Sequence, residues 1–302
     1  MRALLIAFLL CLGNADFLTA QERVGRRGPR LPAGTQVDRD LVYAKVDDRD
    51  LHLDLYRPSG ENAKPLVIWV HGGGWKSGSK NGAGPALVLL QHGYAVASVE
   101  YRLSGEAIFP AAIEDCKAAV SFLRTHAGKF GLDPERFGAW GSSAGGHLVS
   151  LIGTTGDTDE FESHAISQQS PSNVQAVCNW FGPSDFLRMN DFESTIDHDA
   201  ANSPESRFIG GPIQTNADKC RAANPMSYVS KQDPPFLHQH GDKDRLVAFN
   251  QSELLHQELK KVGVETTLHR VINGDHGFRG AEESRERIVR RSIDFFDQHL
   301  KP

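Results

Sequence analysis

The sequence predicts an α/β fold built on a mostly parallel, doubly wound β-sheet. Strand-like and helix-like segments alternate through most of the 302 residues, as in sheets that are covered by helices on both faces. Several strand candidates, such as residues 66–70, are continuous apolar runs, which suit strands buried on both sides. The net charge of −5, with no basic cluster, argues against nucleic acid as a partner.

The first 20 residues have the pattern of a secretory signal peptide. Arg2 precedes an apolar run over residues 3–12, and a positive end followed by a short apolar core is typical of such signals. The run is shorter than the roughly 20 apolar residues that a membrane span needs. Small residues at Ala15 and Ala20 suit cleavage. We therefore predict a secreted or periplasmic protein without a stable membrane anchor.

A flexible linker or tail is predicted to follow the signal peptide. Residues 21–40 are rich in arginine, proline and glycine and lack apolar periodicity. The α/β domain is predicted to cover residues 41–302. After removal of the signal, Cys116, Cys178 and Cys220 remain, and this odd number allows at most one disulfide bond.

The predicted elements of the domain start with an antiparallel hairpin, because residues 51–56 alternate between apolar and polar side chains. Asn250 and Glu253 resemble a capping box for a helix that Gly263 ends. The strands are predicted at residues 42–46, 51–56, 66–70, 95–99, 137–140, 174–180, 235–240 and 264–272. The helices are predicted around residues 86–91, 111–125, 147–152, 250–262 and 288–296.

A G-x-S-x-G motif lies between the strand at 137–140 and the helix that follows it. Gly141, Ser143 and Gly145 occupy the fixed positions, and a serine at such a strand-to-helix turn presents its hydroxyl above the sheet. Ser142 is adjacent, but it lacks glycines two residues away on both sides. The N–H of Ala144 opens the helix, where an anion is favoured.

A second glycine-rich loop follows the strand at 66–70, with the sequence His71-Gly72-Gly73-Gly74-Trp75. Three adjacent glycines cost backbone entropy. The segment is either a flexible loop or a set of bare N–H groups that face an oxyanion.

A serine nucleophile needs a histidine base, which a carboxylate normally orients. His276 follows the last predicted strand in a glycine-flanked loop, and Asp242 and Asp244 follow the strand at 235–240. These loops lie at the carboxyl ends of strands, where active sites of open α/β sheets are built. Spacing alone does not separate the two aspartates.

Other side chains near these loops allow further interpretations. His238 and His240 share one strand face and could bind a metal, but no third ligand is evident, so we predict ordinary strand residues and no metal or cofactor. Trp75, Trp180 and Phe278 could stack on a substrate, although aromatic residues near a site are as often part of the core.

The motifs together resemble the α/β-hydrolase superfamily over nearly all of the mature chain. Within it, the sequence is similar to the esterase/lipase group with an H-G-G-G motif, especially to bifunctional acetyl xylan/feruloyl esterases. The resemblance implies that the acid of the H-G-x-x-D pattern is Asp244. It also implies an oxyanion hole formed by Gly73 and Gly74 with Ala144. The proline that usually follows the acid loop is replaced by Ala248.

The resulting functional prediction is a serine hydrolase that cleaves carboxylic esters through an acyl-enzyme. Its substrate would be a small-molecule or polysaccharide-linked ester, and its catalytic triad would be Ser143, Asp244 and His276. An amide hydrolase, such as an exopeptidase or arylformamidase, would use the same fold, and an inactive binding protein is a third hypothesis. Residues 187–233 are polar and long for a connection, and we predict a small cap or insertion over the active site.

Overall fold

An eight-stranded mixed sheet organises the residues that the computed structural model describes, which are 31–162 and 170–302. The strand order is β1-β2-β4-β3-β5-β6-β7-β8. The β1–β2 and β2–β4 pairs are antiparallel and the others are parallel. The strands are β1 (Gln36–Val46), β2 (Arg49–Arg57), β3 (Lys64–Val70), β4 (Ala95–Val99), β5 (Leu132–Ser142), β6 (Ala176–Trp180), β7 (Phe236–Gly241) and β8 (Thr266–Val271). The predicted sheet and its N-terminal hairpin are confirmed.

Helices cover both faces of the sheet. Apolar side chains of α1, α3 and α6 pack on one face, and those of α7 and a 3₁₀ helix at Gly84–His92 pack on the other. The α-helices are α1 (Ala111–Thr125), α2 (Ala127–Phe130), α3 (Ala144–Thr154), α4 (Pro204–Ile209), α5 (Ala217–Ala222), α6 (Asn250–Lys261) and α7 (Arg285–Leu300). None of the described helices is both long and apolar enough to cross a bilayer.

The domain starts earlier than the sequence suggested, because β1 begins at Gln36 rather than near Leu41. Residues 36–40 therefore belong to the sheet and not to a linker. The apolar pattern did not predict a strand at these residues, because β1 is an edge strand whose first half carries charged side chains. One of these, Arg39, pairs at 3.0 Å with the buried carboxylate of Asp54. The predicted signal peptide and the linker up to residue 30 lie outside the described residues.

The predicted capping box of α6 is wrong. The helix is capped at Phe249, without a side-chain hydrogen bond, and Asn250 is its first residue. Its C-terminal end is as predicted, since Gly263 has a φ of 87° and its N–H donates to the Lys260 carbonyl.

The segment at 187–233 forms short helical turns between β6 and β7. They comprise α4, α5 and 3₁₀ turns at Phe186–Asp191, Ile213–Thr215 and Pro225–Tyr228. The three cysteines outside the predicted signal, Cys116, Cys178 and Cys220, are buried free thiols.

Candidate active site

Ser143 lies on a sharp turn between β5 and α3. Its φ of 55° and ψ of −125° are unusual for a residue with a side chain, and such backbone strain costs of order 1–3 kcal/mol. The surrounding glycines make the turn possible. A Cβ at Gly141 would lie 2.2 Å from the Gly145 carbonyl oxygen, and one at Gly145 would lie 2.1 Å from that of Val70. The turn therefore holds the hydroxyl above the carboxyl ends of the parallel strands.

The structure brings Ser143, His276 and Asp244 together in one hydrogen-bonded chain. The Ser143 Oγ lies 3.0 Å from His276 Nε2, and His276 Nδ1 lies 2.7 Å from Asp244 Oδ2. Since an ionised carboxylate only accepts hydrogen bonds, Nδ1 carries the ring proton and donates it to Asp244. Nε2 is then free to accept the proton of the serine hydroxyl.

The Asp244 carboxylate is buried but well supplied with donors. Its Oδ1 accepts the backbone N–H groups of Leu246 and Val247, each at 2.9 Å. Burial alone would raise the pKa of this carboxyl, but hydrogen bonds from His240 and His276 outweigh it and hold the pKa well below its usual value. The group is therefore ionised at neutral pH.

The neighbouring Asp242 has a different partner. Its Oδ1 accepts the backbone N–H of Asn273 at 2.8 Å. The hydrogen bond to His276 thus distinguishes Asp244 from Asp242, which the spacing of the residues alone did not.

His240 is a second imidazole behind Asp244, for which the sequence analysis considered a metal-binding role with His238 but no contact with the acid. Its Nε2 lies 2.8 Å from the Val247 carbonyl oxygen and 3.3 Å from Asp244 Oδ2. Because both are acceptors, Nε2 carries the proton, and Nδ1 accepts the Ser252 hydroxyl at 2.7 Å. The ring ties the end of β7 to the acid loop and to α6. Both nitrogens are thereby occupied, which argues against the metal-binding alternative.

The glycine loop passes close beside the nucleophile. A Cβ at Gly72 would lie 3.1 Å from the Ser143 Cβ. Gly73 and Gly74 have φ values of 114° and 59°, in the region that favours glycine. Their backbone N–H groups have no hydrogen-bond partner among the described residues.

A third N–H comes from Ala144, the first residue of α3, where helix geometry leaves the amide without an intrahelical acceptor. The arrangement can therefore offer several N–H donors and a helix N-terminus to one anion.

The three aromatic residues predicted to contact substrate are buried, and that prediction is corrected. Trp75 is 1% exposed and stacks on Phe208, with ring centroids 4.7 Å apart. Trp180 is also 1% exposed and packs against Phe278, and neither of these two rings lines the cleft over Ser143. These rings support the loops from beneath. The aromatic residue that lines the cleft is Phe181, whose ring lies 4.7 Å from that of His276.

A cleft of about 870 Å³ opens over these groups. The turn at Ser142 and Ser143 and the glycine loop form its floor, and the segment at 196–204 forms one wall. Behind this wall, the buried His198 ring lies with its Nε2 3.0 Å from the Ser194 hydroxyl oxygen. The remaining lining side chains are Lys76, Ser77, Phe181, Leu246 and His276.

Comparison with known proteins places these groups in a wider context. The sequence matches the BD-FAE family over residues 53–259, a segment that contains Ser143 and Asp244 and ends before His276. It is 28% identical over 237 residues to the probable carboxylic ester hydrolase LipM of Mycobacterium tuberculosis, covering 77% of this chain and 54% of the relative. The chain spans between 54% and 64% of the lengths of LipM, LipC and LipQ, the last two being esterases of the same organism.

Two solved structures are also similar. A truncated carbohydrate esterase from gut microbiota is 30% identical with a TM-score of 0.80, and the match covers 91% of this chain and 100% of that one. A bifunctional GH43-CE protein of Bacteroides eggerthii is 35% identical with a TM-score of 0.76, and the match covers 87% of this chain and 38% of that one.

Proposed function

The chain belongs to the BD-FAE family of α/β-hydrolase esterases, and on that premise we propose that it hydrolyses carboxylic esters through an acyl-enzyme on Ser143. The observation that carries the proposal is the continuous hydrogen-bonded chain from Ser143 Oγ through His276 to Asp244, with distances of 3.0 and 2.7 Å. Those distances lie within the range expected for a nucleophile, its base and the group that orients the base.

In the proposed reaction, His276 Nε2 takes the proton of Ser143 as the Oγ attacks the carbonyl carbon of the ester. The carbonyl oxygen becomes negative and accepts hydrogen bonds from the N–H groups of Gly73, Gly74 and Ala144. The intermediate expels the alcohol, which receives the proton from His276. Water then attacks the acyl-enzyme by the same route, with His276 as base, and releases the acid and the free serine.

The proposed substrate is an acyl ester of a polysaccharide or of a smaller alcohol. The cleft volume of about 870 Å³ suits an ester that brings a bulky alcohol portion. Its lining combines apolar Phe181 and Leu246 with polar Lys76, Asp197 and Asn202, as a hydroxyl-rich alcohol would require. The similarity to a carbohydrate esterase supports the same substrate class.

We further propose that residues 1–20 direct export. N-terminal sequencing of the protein recovered outside the cytoplasm should then start after Ala15 or Ala20. Recovery with Met1 or Arg2 at the N-terminus would contradict this part of the proposal.

The experiment that tests the function measures hydrolysis of p-nitrophenyl esters, methyl ferulate and acetylated xylan, together with peptide and formamide substrates. The wild-type protein should cleave esters and react with a fluorophosphonate probe, and Ser143→Ala should lose both properties. Ser142→Ala is a matched control, because this serine is adjacent and also lines the cleft. Faster cleavage of the amides would favour the amide-hydrolase hypothesis, and a wild-type protein that neither labels nor cleaves would favour the inactive binding protein.

A further inference from the structure

A second hollow lies beside the acid loop, outside the cleft that holds Ser143. It has a volume of about 430 Å³ and is bounded by Phe192 and Glu193, by residues 242–245 and by the start of α6. This volume falls within the range of pockets that bind small ligands. Of the proposed catalytic residues, only Asp244 also borders it.

One wall separates this hollow from the active-site cleft. The backbone carbonyl of Arg245 accepts the N–H of Thr195 at 2.7 Å and the hydroxyl of Ser194 at 3.0 Å. Ile196 follows Thr195 and Leu246 follows Arg245 in the chain, and both of these residues line the cleft. A ligand that reached across the wall would therefore extend from the hollow to the site of hydrolysis.

The side chain of Asn250 is an unpaired polar group on the wall of this hollow. The residue is 6% exposed, and neither its Oδ1 nor its Nδ2 has a hydrogen-bond partner among the described residues. A buried polar group without a partner destabilises the folded protein. A ligand hydroxyl can both donate and accept, so a pair of adjacent hydroxyls would satisfy both atoms of the amide.

An exposed aromatic ring also borders the hollow. Phe192 is 55% exposed, more than any other large hydrophobic side chain among the described residues. The ring offers an apolar face to a ligand that enters the hollow. Sugar rings present C–H groups on one face and hydroxyls around their edge, which matches a hollow lined by both an aromatic ring and an amide.

The charges around the hollow nearly balance, which favours an uncharged ligand. Glu193 pairs with Arg245, and Glu253 lies 3.4 Å from Arg270. The complete set of charged lining side chains is Glu193, Asp242, Lys243, Asp244, Arg245, Glu253 and Arg270. With four carboxylates and three cationic side chains, the lining has no positive surplus that would select a phosphate or a polyanion. Its charged side chains can still form hydrogen bonds with hydroxyls.

We propose that this hollow is a second binding site for an uncharged oligosaccharide, which it holds next to the ester-cleaving cleft. The choice of ligand rests on the proposed function, in which the ester is carried by a polysaccharide. Binding itself needs no ester, so it can be measured separately from hydrolysis. The site would anchor the sugar chain while an acyl group on the same chain reaches Ser143.

The test uses isothermal titration calorimetry of the full chain carrying Ser143→Ala, with unesterified xylotetraose as the probe. Xylotetraose should bind to this variant. Combining Ser143→Ala with either Phe192→Ala or Asn250→Leu should raise the Kd for xylotetraose by at least ten-fold. Val262→Ala is the matched control, since this side chain is also large and 40% exposed but follows the far end of α6. It should leave binding unchanged.

Activity measurements separate this proposal from the proposed function. With Ser143 intact, Phe192→Ala should hydrolyse p-nitrophenyl acetate at the wild-type rate. The proposal is overturned if the Ser143→Ala protein binds no xylotetraose, or if Phe192→Ala binds it as well as the control does. It is also overturned if Lys76→Ala, in the cleft, abolishes binding that Phe192→Ala leaves intact. If Asn250→Leu fails to fold, the Phe192→Ala variant alone tests the proposal, because an exposed side chain can be removed without disturbing the core.

Discussion

Replacing Asp244 by asparagine tests the orientation of His276 most directly. The Oδ1 position accepts two backbone N–H groups, from Leu246 and Val247, so the oxygen of the new amide must occupy it. The NH₂ group then takes the Oδ2 position, where it faces the donating nitrogens of His276 and His240. The NH₂ group then faces an N–H of His276 on one side and an N–H of His240 on the other, and donors repel each other. The imidazole of His276 can relieve its clash only by moving its proton from Nδ1 to Nε2.

A proton on Nε2 prevents His276 from accepting the proton of Ser143. The expected fall in kcat is about 10⁴-fold, as for the same change in other serine triads, which corresponds to about 5 kcal/mol in the activation barrier. The polypeptide should still fold, because the amide preserves the size of the carboxylate and its two backbone hydrogen bonds.

The assay is steady-state hydrolysis of p-nitrophenyl acetate, with circular dichroism to confirm folding. Asp242→Asn provides the matched control, since its amide oxygen can still accept the Asn273 N–H, and its kcat should stay close to that of the wild type. Our reasoning is refuted if Asp244→Asn retains more than a tenth of the wild-type rate, or if Asp242→Asn loses as much.

Three further predictions concern the oxyanion loop, the buried aromatic cluster and pH. Gly73→Ala would place a Cβ 2.1 Å from the Ser77 carbonyl oxygen and displace the loop, so kcat should fall by about 10²–10³-fold. Gly128→Ala is the control, because a Cβ there meets open space, and its kcat should be unchanged. Equal rates for the two variants would contradict the loop's role. Trp75→Ala should lower the free energy of unfolding by about 3–5 kcal/mol in urea titrations, whereas a raised KM with unchanged stability would restore Trp75 as a substrate contact. Because the pKa of Asp244 is lowered by folding, its ionisation stabilises the protein above the unfolded pKa of about 3.9, and this contribution is lost as pH falls through the folded value. The difference in unfolding free energy between wild type and Asp244→Asn should therefore stay constant from pH 7 to about pH 5 and narrow as the pH falls below about 3.9. A difference that stays constant down to about pH 2 would show that this carboxylate is not the coupled group.

Glycine patterns explain why the centre of the site could be predicted from sequence. Glycine is required at positions 141 and 145, because a Cβ at the first would clash with the Gly145 carbonyl and one at the second with the Val70 carbonyl of β3. The spacing of these glycines therefore marks the turn that presents Ser143. His276 was found in the same way, from a glycine-flanked loop after a strand. Such local signals depend on backbone geometry, which the sequence records directly.

The roles of the aromatic residues and of Asn250 could not be predicted in this way. Trp75 is buried because Phe208, more than a hundred residues later, stacks on it, and no local pattern reports such a contact. Asn250 has the residue type and spacing of a cap, but the helix starts one residue earlier, at a position that tertiary packing sets. The role of His240 likewise depends on Val247 and Ser252, which only the folded chain brings around its ring.

The wall at 196–204 belongs to the helical turns between β6 and β7, whereas Ser143, Asp244 and His276 lie on loops that follow strands of the sheet. Mutations confined to this stretch can consequently reshape the entrance without disturbing the bond-breaking machinery. Libraries that randomise Ile196, Ala200 and Asn202 offer a route to altered alcohol preference, with little expected loss of turnover on the simplest esters. Catalysis and selectivity are in this sense separable traits of the chain.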